Sequence, residues 1–257
     1  MSKPSNLASA RPDSHPSESH RLVRKLESIA VLSGEERQAL LHLPMRVKAF
    51  EADQTIVREG DRPFECGLVL TGFVCRHRVV ADGRRQIMSF HTPGDIPDLQ
   101  SLHLKVMDHS LGALVPTTMA FIAHPAMADL IRSHPGIAAA LWRDTLIDAA
   151  IFREWMVGLG RRSAHQRIAH LLCEMALRFK AVGLGSEHAY ELPATQAELA
   201  DALGLSAVHA NRVLQDLRRS ELIVLRGHAV TILDWDGLQQ AGEFDPGYLH
   251  QDHGRPA

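Results

Sequence analysis

Cysteine is scarce in this chain: Cys66, Cys75 and Cys173 are the whole set, and no two form a C-x-x-C. Three thiols cannot build a disulfide framework, so the compartment they suit is a reducing cytoplasm. Aromatic residues are only 5% of the chain. No apolar run approaches the roughly 18 residues that span a bilayer, so no membrane partner is expected. An excess of one charge is missing too: 28 basic and 30 acidic residues leave a formal net charge of -2 over 257 residues. That balance excludes a histone-like basic protein and a wholly acidic disordered chain. No G-x-S-x-G, Walker A or dinucleotide fingerprint occurs, so no catalytic residues and no enzyme are expected. The 16 histidines include no H-E-x-x-H and no Cys/His pair at zinc spacing, so most read as surface residues and no metal site is expected.

What is present changes texture along the chain. Residues 1–20 are rich in Ser and Pro with no apolar core after Lys3, and read as a disordered tail. From His20 a helical pattern begins, with Leu22, Val23, Leu26 and Ile29 on one face, and Ser33-x-x-Glu36 has the form of a capping box. Between Val47 and Ile122, short apolar stretches are cut by Gly60, Gly72, Gly83 and Gly94. That near-regular spacing is expected of an all-β sandwich or barrel. The fold class is therefore α+β, with a β-roll sensor domain and flanking helices over 21–134.

Residues 135–160 read as a long helix followed by a hinge. Pro135 suits its first turn. Apolar residues cover almost its whole circumference, so it must be buried on more than one side. A second copy of the helix is one partner; a central place in a monomeric core is the other reading. The series Leu141, Thr145, Asp148, Phe152, Trp155, Leu159 has 4-3 spacing and two polar members, and it gives Leu141, Asp148, Phe152, Trp155 and Leu159 as the expected dimer interface. Gly158 and Gly160 are expected to break the helix. The next helix has Ile168, Leu172, Met175 and Phe179 on one face and ends at Gly183.

The strongest signal is TQAELADALGLSAVHANRVLQDLRRS, residues 195–220. Thr195 and Glu198 form a capping box, Gly204 suits the left-handed end of a first helix, and Ser206 caps a second. The inner stripe of the second is Ala210, Val213, Leu214 and Leu217. At 100° per residue the opposite face holds Val208, Arg212, Gln215 and Arg219, flanked by His209 and Asn211. Arg can bond guanine, Asn or Gln can bond adenine, and an apolar side chain can touch a thymine methyl. A Gly-containing hairpin follows, with Arg226 and His228 at its tip within reach of phosphate. Together these make a winged helix-turn-helix over 161–234, with a C-terminal helix and tail over 235–257. Across 160–233, nine basic residues face seven acidic ones. The tail is acidic, so positive charge concentrates on the second helix and the wing.

The glycine ladder Gly60/Gly72/Gly83/Gly94 and the run Thr195–Ser206 carry a resemblance over about residues 20–233. The chain resembles the Crp/Fnr family of bacterial transcription regulators. The resemblance implies a cyclic-nucleotide-binding-like β-roll, a dimerisation helix, a homodimer on a near-palindromic double-stranded DNA site, and RNA polymerase as a partner. Thr195, Ser206 and His209 match family phosphate contacts, and Arg212 matches the Arg that reads a guanine. Val208 stands where many members have a base-reading Glu, and Asn211 stands where the residue is often small.

In cyclic-nucleotide-binding members, a Glu after the Gly-Asp turn holds the ribose and an Arg followed by Ser or Thr holds the phosphate. Here Leu99 takes the Glu position and His109-Ser110 the Arg-Ser position, while Asp98 opposes an anion and Pro97 lacks an N–H. Cyclic AMP is therefore not expected, and the effector is left open around Asp98, Leu99, His103, His109 and Ser110. Iron–sulfur members use four cysteines, mostly near the N-terminus; none here precedes Cys66, so no cluster is expected. Cys75 and His77 share a strand face and could form a haem ligand pair, though two ordinary strand residues is the simpler reading.

Overall fold

Turn chemistry sets the layout of the N-terminal half. The computed structural model describes residues 16–251. The expected disordered tail lies outside the described residues up to 15, but its last part is helix. α1 (Pro16–Glu27) starts ahead of the expected boundary, anchored by burial of Leu22, Val23 and Leu26. α2 (Gly34–Leu41) opens on the Ser33/Glu36 capping box: Glu36 N–H donates to Ser33 Oγ at 3.1 Å and Ser33 N–H to Glu36 Oε2 at 2.8 Å.

The roll follows as β1 (Arg46–Phe50), β2 (Thr55–Val57), β3 (Glu65–Thr71), β4 (Val74–Val79), β5 (Arg85–His91), β6 (Ser110–Ala113) and β7 (Thr117–Ala123). They make two antiparallel sheets, ordered β1-β7-β3 and β2-β6-β4-β5. Two of the ladder glycines are required on two counts. Gly72 and Gly94 have φ of +91° and +103°. A Cβ on Gly72 would also lie 2.7 Å from the Thr117 backbone, and one on Gly94 would lie 2.9 Å from the Arg21 carbonyl. Only glycine fits both the torsion and the space.

α3 (His124–Ser133) leads into α4 (Pro135–Arg161). Gly158 and Gly160 do not break α4, contrary to the expected hinge. Each costs about 1 kcal/mol relative to alanine; Gly158 is buried, and Gly160 stands exposed in the last turn. The chain turns instead at Arg162, and Ser163 with Gln166 caps α5 (Ala164–Ala181). The expected single apolar face of α5 is too narrow a description: His170, Glu174 and Arg178 are buried along with the apolar residues. α5 is the central helix of the second half.

A short strand the sequence did not suggest, β8 (Ala189–Glu191), joins the wing. After α6 (Gln196–Leu203) and α7 (Ala207–Arg219), β9 (Ile223–Arg226) and β10 (Ala229–Ile232) complete a sheet ordered β8-β10-β9. α8 (Trp235–Gly242) is capped by Asp234. The chain beyond it folds back onto α5: Phe244 and Leu249 are buried, and the His170 ring stacks on Tyr248. The last of the expected tail, residues 252–257, lies outside the described residues. One large core joins α1, the roll, α4, α5 and the C-terminal domain, and a smaller one lies within the roll around Phe50, Val69, Met119 and Phe121.

Candidate nucleic-acid interface and effector cavity

The helix pair α6–α7 is built by its caps and two small residues. Thr195 Oγ1 accepts from Glu198 N–H at 3.2 Å, and Ser206 Oγ accepts from His209 N–H at 3.2 Å. Each such cap stabilises by about 1 kcal/mol. Gly204 takes the left-handed conformation between the helices. Ala200 and Ala210 are buried where the helices approach, and Val213, Leu214 and Leu217 lie inward with them. The other side is left to solvent: Ser206, Val208, His209, Arg212, Gln215 and Arg219 are all exposed. Arg212 has no carboxylate partner among the described residues, whereas Arg219 pairs with Asp216. Asn211 is half-buried and donates to Gln196 Oε1 at 2.6 Å. Gln196, which the sequence did not single out, thus ties the two helices together on their outer side. Thr195 and the wing-tip Arg226 are exposed, while His228 is braced by its Nδ1 against Leu192 O at 3.2 Å.

On α4 the expected interface residues divide. Leu141 and Trp155 are 4% and 8% exposed and belong to the chain's own core. The Trp155 indole N–H donates to buried Glu174 at 3.0 Å, and its ring meets Phe90 edge-on. Asp148 faces the roll, in an ion pair with Arg76. Phe152 and Leu159 do face outward, and they continue a stripe the sequence reading missed. Trp142, Thr145, Ala149, Phe152, Met156 and Leu159 repeat at 3-4 spacing. Among them Trp142 is 67% and Met156 61% exposed. Nothing in the single-chain pattern separates the two series, because both faces of α4 are apolar.

A cavity of about 420 Å³ lies between the roll and α4, with Leu99, Gln100, His109, Arg76, Asp148 and Phe152 among its walls. The expected effector residues divide here as well. Leu99 and His109 line it. Asp98 turns the other way, accepting from Gly67 N–H at 2.7 Å. Ser110 Oγ is used by Glu59 N–H at 3.0 Å, and His103 is exposed on a neighbouring turn.

The cavity floor is an ionic network. Lys25 Nζ lies 2.7 Å from Asp95 and 3.4 Å from Asp144. Arg178 reaches from α5 to the Phe90 carbonyl at 2.6 Å and to Asp95 at 3.4 Å. Burial works against charge on Asp95, but Lys25 and Arg178 outweigh it and hold its carboxyl well below the usual range. Burial likewise opposes charge on Asp148, and Arg76 outweighs it. For Asp144 burial prevails and the pKa rises. Burial lowers His91 to about 3. Burial and then Arg76 also lower His109, although its Nδ1 lies 2.6 Å from Asp108.

Two family models match the chain: a cyclic nucleotide-binding domain over residues 47–134 and a Crp-like helix-turn-helix domain over 166–241. The chain is 31% identical over 185 residues to the nitrogen fixation regulation protein FixK of Rhizobium meliloti, covering 71% of this chain and 80% of that one. It is 29% identical over 222 residues to the transcriptional activator protein FnrL of Cereibacter sphaeroides, covering 83% and 88%. Among solved structures, FixK2 from Bradyrhizobium japonicum shares the fold with a TM-score of 0.70 at 24% identity, over 77% of this chain and 98% of that one. The chain belongs to the Crp/Fnr family. It is a DNA-binding transcription regulator.

The sensory groups of other Crp/Fnr members do not fit this one. A cyclic phosphate needs a free cation and aligned N–H groups. Here Arg76, Lys25 and Arg178 are already paired with carboxylates, and His109 is held toward its neutral form. For an iron–sulfur cluster, Cys66 lies on β3, Cys75 on β4 and Cys173 on α5, all buried. Burial pushes each thiol up to about 12, the opposite of what a metal-binding thiolate needs. Cys75 Sγ and His77 Nδ1 lie 3.7 Å apart, in contact with each other, and among the described residues no group of three or more His, Cys, Asp or Glu is placed to hold a metal ion. No helix of the described residues is long and apolar enough to cross a membrane.

The β-roll and the helix-turn-helix are in direct contact. Arg85 of β5 lies 2.9 Å from Asp201 of α6. Gln86 donates to Ala202 O at 3.2 Å. Arg178 of α5 adds a second link, to the Phe90 carbonyl and Asp95 of the roll.

Proposed function

We propose that this regulator works in the cytoplasm as a homodimer whose two α7 helices enter successive major grooves of a near-palindromic operator. The observation that carries this reading is the pairing of two outward surfaces: the apolar stripe Trp142–Leu159 on α4 and the polar face of α7. Singly exposed apolar residues need no explanation, but a heptad-spaced row of them does. A two-fold axis along that row would make the operator two-fold as well. Arg212 is assigned to a guanine, Val208 to a thymine methyl and Gln215 to an adenine edge. Thr195, Ser206, His209, Arg219 and Arg226 are assigned to phosphates. Asn211 serves as a brace through Gln196 and reaches a base only if that bond opens. The promoter-bound dimer acts through RNA polymerase.

The cavity at Leu99 and His109 is the place for an effector, and cyclic AMP is not that effector. A second reading is supported by the neutralised floor: the roll binds nothing, serves as a dimerisation scaffold, and the protein is controlled by abundance. A thermal-shift screen separates the two, since a ligand that binds the native state raises Tm. Sedimentation at micromolar concentration tests the first reading. A two-chain mass that falls to one chain in Met156→Asp supports it, and a one-chain mass in the wild type rejects it.

A further inference from the structure

Consecutive residues of the loop after β5 serve two different cavities. Leu99 lines the one under α4, and Asp98 lines a second, of about 340 Å³, on the outer side of the roll. The second is walled by Phe50 of β1, Phe121 of β7 and Phe64, which is 74% exposed, and Lys48, Arg62 and the carboxylates Asp61 and Glu65 also line it.

Asp98 is 1% exposed. Its Oδ1 accepts from Gly67 N–H, but its buried Oδ2 has no hydrogen-bond partner. Beside that oxygen Gly67 carries no side chain: a Cβ there would stand 3.7 Å from Oδ2 and 3.4 Å from the Phe121 ring, and the flexible end of Met119, 2.7 Å from that position, is the group a ligand must displace. A buried acceptor without a donor is costly. Burial pushes the Asp98 carboxyl up to about 7, because its surroundings support the charged form poorly. At the rim, Lys48 lies over the Phe50 ring at 4.5 Å. Neither Lys48 nor Arg62 has a carboxylate partner among the described residues, whereas Arg46 beside them is paired with Glu65 at 2.5 Å. The site therefore offers an unmet acceptor at its base, an aromatic wall, and two cations with no direct ion-pair partner among the described residues, in a lining that also holds Asp61 and Glu65.

We propose that this is a second ligand site, and that it takes a small planar molecule with an amidine-like N–H edge at one end and a carboxylate or phosphate at the other. The N–H edge donates to Asp98 Oδ2, the ring packs on Phe64 and Phe121, and the anion meets Lys48 and Arg62. The assignment is independent of the cavity under α4.

Para-amidinobenzoate, benzamidine and benzoate are the probes, titrated calorimetrically into the full-length protein. Para-amidinobenzoate is expected to bind saturably and raise Tm. Benzamidine should bind about tenfold more weakly, the worth of one lost charge-assisted contact, and benzoate should not bind. Asp98→Asn keeps an acceptor for Gly67 N–H and should lose about tenfold or more of the affinity for both amidines. Lys48→Gln should weaken para-amidinobenzoate alone, and Phe64→Ala, an exposed change that leaves the fold intact, should weaken both. The proposal is overturned if no amidine binds saturably at millimolar concentration. It is equally overturned if Asp98→Asn binds as well as the wild type, or if Lys48→Gln and Phe64→Ala leave para-amidinobenzoate untouched, which would place the probe elsewhere.

Discussion

The two halves of the molecule handle their charges in opposite ways. Beneath the roll, Lys25, Arg76 and Arg178 are drawn out of water and each is matched to a carboxylate. On α7, Arg212 stands exposed with no carboxylate beside it. Buried ion pairs contribute little net stability, because desolvation offsets their attraction, yet breaking one leaves a stranded charge. They fix geometry. An exposed, unpaired arginine fixes nothing in the protein and is free to bond a partner. The contrast separates a half that holds a shape from a half that makes contact, and α4 and α5 join them.

The largest expected effect comes from separating the two copies of the proposed dimer. Met156→Asp places a charge in the middle of the outward stripe without touching the inner core. Losing the second half-site should weaken operator binding by roughly a hundredfold to ten-thousandfold, read by gel shift alongside the sedimentation mass. On the buried side, Arg178→Met leaves buried Glu174 without its cation and Asp95 with Lys25 alone, and should cost about 3–5 kcal/mol of unfolding free energy in urea.

Asp98 sharpens the comparison, because it is a buried carboxyl with no matched cation. Its folded pKa of about 7 lies above the usual carboxylate value near 3.8. The folded form therefore binds the proton more tightly. Its contribution to stability is full below the unfolded pKa and is lost as pH rises toward about 7. Asp98→Asn should be more stable than the wild type at about pH 8, by on the order of 4 kcal/mol, and the gap should close by about pH 4. Urea melts across that range check the sign.

On the exposed side the effects are smaller and more selective. Arg226→Ala should lower the slope of log affinity against log salt by about 1 on every sequence. A change confined to particular sequences would show that the wing reads bases.

Much of this was legible in the sequence where the cause is local. Caps at Thr195 and Ser206, the left-handed turn at Gly204 and the turn glycines of the roll depend on residues only a few positions apart. Where the cause is distant, the sequence was silent. Trp155 turns inward because its indole N–H finds Glu174, 19 residues on, and no periodicity in α4 announces that. Gly158 stays helical where the inner face of α4 is buried, so tertiary contact overrides propensity there, and the helix runs on through exposed Gly160 to Arg161. β8 exists because β10 offers it an edge, and three residues carry too little pattern to read. Asp98 looked like an effector residue from its place after the Gly-Asp turn, but its bond to Gly67 turns it toward a different cavity.

Selection of binding sites from random duplex DNA, with wild type and Arg212→Ala side by side, tests the central claim most directly. The account predicts a two-fold symmetric motif with half-sites one helical turn apart. It also predicts that Arg212→Ala loses a guanine preference at one position in each half, with specific binding weakened by about 1–3 kcal/mol. An unchanged motif in the variant, or no enriched motif in the wild type, would contradict it.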